Sequence, residues 1–129
     1  MPYRKILVPL DGSTLAELAA EHAADLARLC KAQLIFLGVA TPDSKQEAAA
    51  YLFQINQEAH YHGLDTEAMV RLGSPAERIV ATARELAVDL VVLSSHGRSG
   101  LARQVFGSVA EEVVRFADCP VTVVKSFRR

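Results

Sequence analysis

Four short, nearly unbroken apolar runs limit what this chain can fold into. They are Ile6-Leu7-Val8, Leu34-Ile35-Phe36-Leu37, Leu90-Val91-Val92-Leu93 and Val121-Thr122-Val123-Val124. A strand with one wet face alternates polar and apolar residues. A strand covered on both faces does not. The runs therefore predict parallel strands sandwiched between helices. A fifth run, Thr66–Leu72, does alternate. Glu67 and Arg71 are polar there, whereas Ala68, Val70 and Leu72 are not. It predicts a strand near the sheet edge, with one face partly wet.

Helical spacing fills the gaps between the runs. The first stretch carries Leu15, Leu18, Ala19, Leu26, Leu29 and Cys30 three to four residues apart, with Glu17, Glu21, Asp25 and Arg28 elsewhere on the wheel. His22 falls on the apolar stripe and reads as a packed histidine. The second stretch, about 44–62, carries Ala48, Leu52, Ile55 and Ala59, with Gly63 placed to end it. The third carries Ile79, Val80, Ala83, Leu86 and Ala87. The fourth carries Val109, Val113 and Phe116. Thr14 with Glu17, Ser74 with Glu77 and Ser108 with Glu111 all have capping-box spacing. Pro75 stands at a first helical position, where its missing N–H costs nothing. Strand and helix alternate throughout. This predicts an α/β fold: a single doubly wound five-stranded parallel sheet with helices on both faces. Residues 1–129 read as one domain.

Half of the 129 residues are hydrophobic, enough for a substantial core. The formal net charge is −1, from 14 basic and 15 acidic residues, so no nucleic-acid footprint is written in the charge. Lys125, Arg128 and Arg129 read as a solvated end. Cys30 and Cys119 form neither a CxxC nor a disulfide framework. No apolar run reaches the roughly 20 residues that span a bilayer. The opening residues, 1–5, lack the pattern of a signal peptide. The expectation is a cytoplasmic protein with reduced thiols and no membrane partner.

In a doubly wound sheet, ligands sit beyond the carboxyl ends of the strands, where strand order reverses. The segments there are Pro9-Leu10-Asp11-Gly12-Ser13, Gly38-Val39-Ala40, Gly73-Ser74-Pro75 and Ser94-Ser95-His96-Gly97-Arg98-Ser99-Gly100. Gly107-Ser108 then opens the last helix. Gly97 and Gly100 let backbone approach a ligand closely. Gly107-Ser108 meets an anion with free N–H groups and the positive end of the helix dipole. Ser108 could both cap that helix and face a phosphate. The stretch from Ser94 to Ser108 thus reads as a phosphate cradle or as an ordinary glycine-bearing turn before a capped helix. Spacing alone leaves both open. It is not a Walker A loop, because no Gly-Lys-Ser/Thr ends it, and it is not the GxGxxG fingerprint.

The ordered set of motifs is more specific than any one glycine. Ser95-His96-Gly97-Arg98-Ser99-Gly100-Leu101, Gly107-Ser108-Val109-Ala110-Glu111 and Cys119-Pro120-Val121-Thr122-Val123-Val124 resemble the C-terminal signature of the universal stress protein family. Lys5-Ile6-Leu7-Val8-Pro9-Leu10-Asp11-Gly12-Ser13 resembles that family's first strand and loop. The resemblance covers the whole chain and implies a Rossmann-like, adenine nucleotide alpha hydrolase-like fold. Members that bind ATP carry G-x-x-G, nine residues, then G-S/T. Here Gly97 is the second glycine, nine residues precede Gly107-Ser108, and Ser94 takes the first glycine position.

The resemblance implies roles for further residues. Pro9, Leu10 and Val39 would line an adenine slot, with Asp11 near the ribose or adenine end. Gly97, Arg98, Gly107, Ser108 and Val109 would contact phosphates. Ser13, Ser94, His96 and Gly100 complete the expected contacts. Asp11 has a local alternative, a turn bond to Ser13 or Thr14. Arg98 has another, a solvent-facing loop position. The implied cofactor is ATP, or ADP or AMP, with Mg or Mn as an optional companion ion.

Phosphoryl transfer needs a metal clamp and a positioned nucleophile, and no dedicated carboxylate pair stands out. No converging metal-ligand set accompanies His60 and His62 either. The chain therefore reads as a nucleotide-responsive regulatory module of the stress response. The alternatives are a slow ATPase and a dimeric interaction module that binds no nucleotide. If the last strand, Val121–Val124, forms a sheet edge, it would be left bare unless a second copy paired with it, and the family often dimerises there. A homodimer through that strand is expected.

Overall fold

The computed structural model describes residues 3–96 and 107–125. Strands β1 (Lys5–Pro9), β2 (Gln33–Ala40), β3 (Thr66–Leu72), β4 (Leu90–Ser94) and β5 (Val121–Val124) alternate with helices α1 (Thr14–Cys30), α2 (Lys45–Asn56), α3 (Pro75–Glu85) and α4 (Ser108–Phe116). The five strands form one parallel sheet in the order β3-β2-β1-β4-β5. Strand order reverses between β1 and β4.

Alternate residues of the apolar runs face opposite layers. Ile6, Val8, Leu34, Phe36, Leu90 and Val92 pack under α1 and α2. Leu7, Ile35, Leu37, Val91 and Leu93 pack under α3 and α4. The expectation of strands covered on both faces holds for β1, β2 and β4, which are almost wholly buried. The alternating strand β3 is an edge, as its pattern predicts. β5 is the other edge and is only half-buried, despite its apolar sequence.

Helix α1 departs from expectation. Its buried stripe is Ala16, Ala19, Ala20, Ala23, Ala24 and Ala27 with Cys30, not the leucines. Leu18 is 42% exposed and Leu29 77%. Methyl side chains let the helix backbone lie close to the central strands, and the larger leucines are displaced to its flank. Glu17 accepts from the Tyr51 hydroxyl and Arg28 donates to the His60 carbonyl, so that side of α1 faces α2 and the turn Ala59–Tyr61 that follows it. At 100° per residue, Leu18, His22 and Leu29 lie on the face of α1 that points away from the buried stripe. His22 is therefore exposed rather than packed.

The second helix is shorter than the sequence predicts. It ends at Asn56, and a 3-10 turn, Ala59–Tyr61, follows. The polar residues Gln57 and Glu58 interrupt the apolar spacing, and the tighter turn delivers Tyr61 edge-on to Phe36 at 5.0 Å between ring centres. Burial first, then the carboxylates of Glu21, Glu58 and Glu17, push the Tyr61 phenol up to about 12. Gly63, with φ +86°, closes this turn rather than the helix itself.

Two of the three expected caps sit one residue earlier. Ser13, not Thr14, caps α1: its backbone is extended and its Oγ accepts from the Ala16 N–H at 3.1 Å. Gly107, not Ser108, caps α4, and Ser108 is already helical. Ser74 does precede α3, with Pro75 at the first helical position, but its side chain makes no cap bond. Among the other helix-end residues, Ala87 lies beyond α3 with φ +52°, and Phe116 at the end of α4 is exposed.

Asp89 joins the starts of β1 and β4. Its carboxylate accepts from the N–H groups of Arg4 (2.8 Å) and Lys5 (2.9 Å). These bonds, Arg4's first, hold the carboxyl below its ordinary value of 3.8. A depressed carboxyl stabilises the fold above the unfolded value, and the contribution is lost as pH falls through the folded one. Asp89→Ala should lower the melting midpoint by a few degrees at pH 7. The gap to wild type should close as pH falls below 3.8. A gap unchanged between pH 7 and pH 2.5 would show that the carboxylate is not the source.

Candidate functional site

The reversal point brings the carboxyl ends of β1 and β4 side by side, with the N-terminus of α4 above β4. On the β1 side, Leu10 donates its N–H to the Leu37 carbonyl at 2.8 Å. The Asp11 carboxylate accepts from the Ser13 N–H at 2.9 Å, which is the turn bond expected of it. Gly12 between them has φ +88°, a conformation that favours glycine. Ser13 in turn caps α1, so the loop is locked to the helix it feeds.

The three residues assigned to an adenine slot do not all converge. Gly38, Val39 and Ala40 belong to β2 itself rather than to a following loop. Pro9 ends β1 opposite Leu37, and half-buried Val39 packs toward the α3 and α4 layer. Leu10 is 5% exposed and packs into the other layer, under α1 and α2. Pro9 and Val39 can share one wall, while Leu10 supports the loop from beneath.

The β4 side is held from several directions. Ser95 is 2% exposed. Its N–H donates to the Val124 carbonyl at 2.8 Å, and its own carbonyl accepts from the Gly107 N–H at 2.6 Å. Its hydroxyl lies 3.1 Å from His96 Nδ1. The Ser94 hydroxyl donates to the His96 carbonyl at 2.8 Å. A hydroxyl has one proton, so toward a ligand Ser94 can only accept. His96 Nε2 is buried and has no hydrogen-bond partner among the described residues. Ser95 organises all of this, yet the family motif that it opens assigns it no role. Its signal is a small polar residue directly after a fully buried strand.

Gly107 seats the end of α4 on this frame. A Cβ placed there would come 3.2 Å from the Ser95 carbonyl oxygen and 3.5 Å from His96 Cα. With the Gly107 N–H engaged, the N–H groups of Ser108, Val109 and Ala110 lie in the first turn of α4, where no carbonyl of the helix can take them. Ser108 is exposed and Val109 half-buried. Gly97, Arg98 and Gly100 lie outside the described residues.

The charge is uneven across the crevice. Burial raises the Tyr51 phenol pKa most, followed by its hydrogen bond to Glu17. The carboxylates of Glu17, Asp11 and Glu58 add to the shift. Asp11 and Glu17 thus make the β1 side negative, whereas the α4 terminus offers N–H donors and the positive end of a dipole. Among the described residues no group of three or more His, Cys, Asp or Glu could hold a metal ion. None of the described helices is long and apolar enough to cross a membrane.

The model of the universal stress protein family matches residues 2–125. The chain is a member of the universal stress protein family. Among curated relatives, universal stress protein MJ0531 of Methanocaldococcus jannaschii is 34% identical, the match covering 95% of this chain and 82% of the relative. A solved universal stress protein in complex with cAMP superposes with a TM-score of 0.81 at 28% identity, covering 96% of this chain and 98% of that one. The universal stress protein from Archaeoglobus fulgidus in complex with dAMP gives a TM-score of 0.78 at 26% identity, covering 97% and 100%. The parallel sheet and its order are therefore those of a universal stress protein, and neighbours with this fold hold adenine nucleotides.

Proposed function

We propose that this universal stress protein binds an adenine nucleotide, ATP foremost, between the carboxyl ends of β1 and β4. It acts as a nucleotide-responsive regulatory module in the cytoplasm, working as one domain over residues 1–129. The Gly107 seat carries this reading: a helix terminus whose first N–H groups have no acceptor within the helix is held against β4, where a Cβ would crowd backbone. Charge sets the orientation. Phosphates belong at Ser108 and Val109, away from Asp11 and Glu17, and the base belongs toward Pro9 and Val39. Gly97, Arg98 and Gly100 complete the phosphate contacts by family resemblance, with Ser13, Ser94 and His96 nearby. Support also comes from the relatives in complex with cAMP and dAMP. Mg or Mn would arrive with the nucleotide.

Isothermal calorimetry with ATP, ADP and AMP tests the reading, together with mass spectrometry of nucleotide released from fresh protein. Saturable binding is expected. No heat and no thermal shift at millimolar nucleotide would overturn the proposal and leave the interaction module. Turnover well above background that vanishes in a Gly107 variant would instead make the chain an ATPase.

The same protein should be a homodimer through β5. That edge is apolar and only half-buried. An edge of this kind invites pairing across a two-fold axis. Light scattering at micromolar concentration should give twice the chain mass, and a monomer mass would refute the dimer.

A further inference from the structure

The family pattern places glycine where this chain has Ser94, and the hydrogen bonds around it show what the serine does. Ser94 is the last residue of β4 and pairs in register with Val124. Its hydroxyl donates to the His96 carbonyl at 2.8 Å, two residues on. Between them, Ser95 is fixed at both backbone groups, to Val124 and to Gly107. The side chain of Ser94 thus closes the turn by which the chain leaves the sheet. Two physical effects follow. A glycine here would give the turn more backbone freedom and leave the His96 carbonyl without this donor. That carbonyl is a partial negative charge beside the proposed phosphate seat. With the Ser94 proton on it, it repels an anion less.

We infer that Ser94 is a positioning residue: its hydroxyl holds the His96 carbonyl and so sets the seat of Gly107 at the start of α4. The serine replaces the freedom of glycine with a fixed turn. This inference uses the nucleotide reading of the site only for its second readout.

The experiment compares wild type with Ser94→Ala, Ser94→Gly and Ser94→Thr. Thr keeps the hydroxyl and suits the end of a strand. The first readout is amide hydrogen exchange of the protein without nucleotide. Exchange at Ser95 and Gly107 should quicken about three- to tenfold in the Ala and Gly variants, the range of one neutral hydrogen bond. It should stay near wild type in the Thr variant. Exchange at Leu7 and Val91 in the central strands should not move, which separates a local role from general destabilisation. The second readout is ATP affinity by calorimetry, expected to fall by a similar factor with Ala and to recover with Thr. Unchanged exchange in the Ala variant, or a Thr variant that behaves like Ala, would overturn the inference. The exchange pattern without any ATP binding by wild type would uphold the role of Ser94 and overturn the nucleotide reading.

Discussion

Phe36→Ala should remove about 3–5 kcal/mol of folding stability, the cost of truncating a buried aromatic. Phe36 is wholly buried in β2 and is the largest of the fully buried side chains among the described residues. Its ring meets Tyr61 edge-on, and such pairs add about 0.5–1.5 kcal/mol beyond burial. The cavity would open in the layer under α1 and α2, to which α1 contributes buried alanines and Cys30. An alanine has no χ angle with which to move into a void, and the helix is already close to the sheet. Collapse should be poor and the loss near the upper end of the range. Small domains are stable by about 5–15 kcal/mol in total. The variant should therefore unfold at much lower urea, with a similar slope. Phe36→Leu should keep most of the stability. An alanine variant within about 1 kcal/mol of wild type, far below the usual cost of such a cavity, would show that the layer repacks freely.

Gly107→Val should lower adenine-nucleotide affinity at least about tenfold, or 1.4 kcal/mol, while leaving a folded protein. The backbone at Gly107 has φ −75°, which any residue can adopt, so conformational strain is not the cause. Space is the cause. The first added carbon already lies 3.2 Å from the Ser95 carbonyl oxygen, and valine adds two methyl groups around it. The opposing atoms are backbone, so they cannot swing aside as a side chain would. The start of α4 must lift, carrying the N–H groups of Ser108 and Val109 out of line with a phosphate. Overpacking of this kind costs about 1–3 kcal/mol of stability. Gly107→Ala should fall between wild type and valine. Calorimetry that finds wild-type affinity in the valine variant would move the phosphates elsewhere.

The sheet was legible in the sequence because burial on both faces leaves its mark residue by residue. Continuous runs became β1, β2 and β4, and alternation marked β3 as an edge. The edge character of β5 was not legible, because an apolar strand reads alike whether helices or a partner cover it. Helix α1 shows why periodicity can mislead. Leucine dominates the apolar count, but the sheet takes the smallest side chains, and a single sequence holds no measure of how close a helix will come. The caps at Ser13 and Gly107 missed by one residue because Thr14 and Ser108 fit the same spacing rule. At the site, glycines and the family motifs pointed to the end of β4 and the start of α4, beside the place where strand order reverses. The work of Ser95 was hidden because its bonds to Val124 and Gly107 join positions far apart in the chain.

The strand order also governs when the crevice can exist during folding. β1 is the first strand made, and its neighbour β4 lies more than eighty residues later, with β5 later still. The hydrogen bond that holds the Ser95 N–H needs β5 in place, and the one to its carbonyl needs the start of α4. An early collapse of β1, α1 and β2 would have a hydrophobic layer but no nucleotide seat. Contacts of such long sequence separation form slowly, because the loop entropy comes before the contact is rewarded. Nucleotide capture would then be the last event of folding. In stopped-flow refolding, a fluorescent ATP analogue should bind only after the far-UV signal has largely recovered.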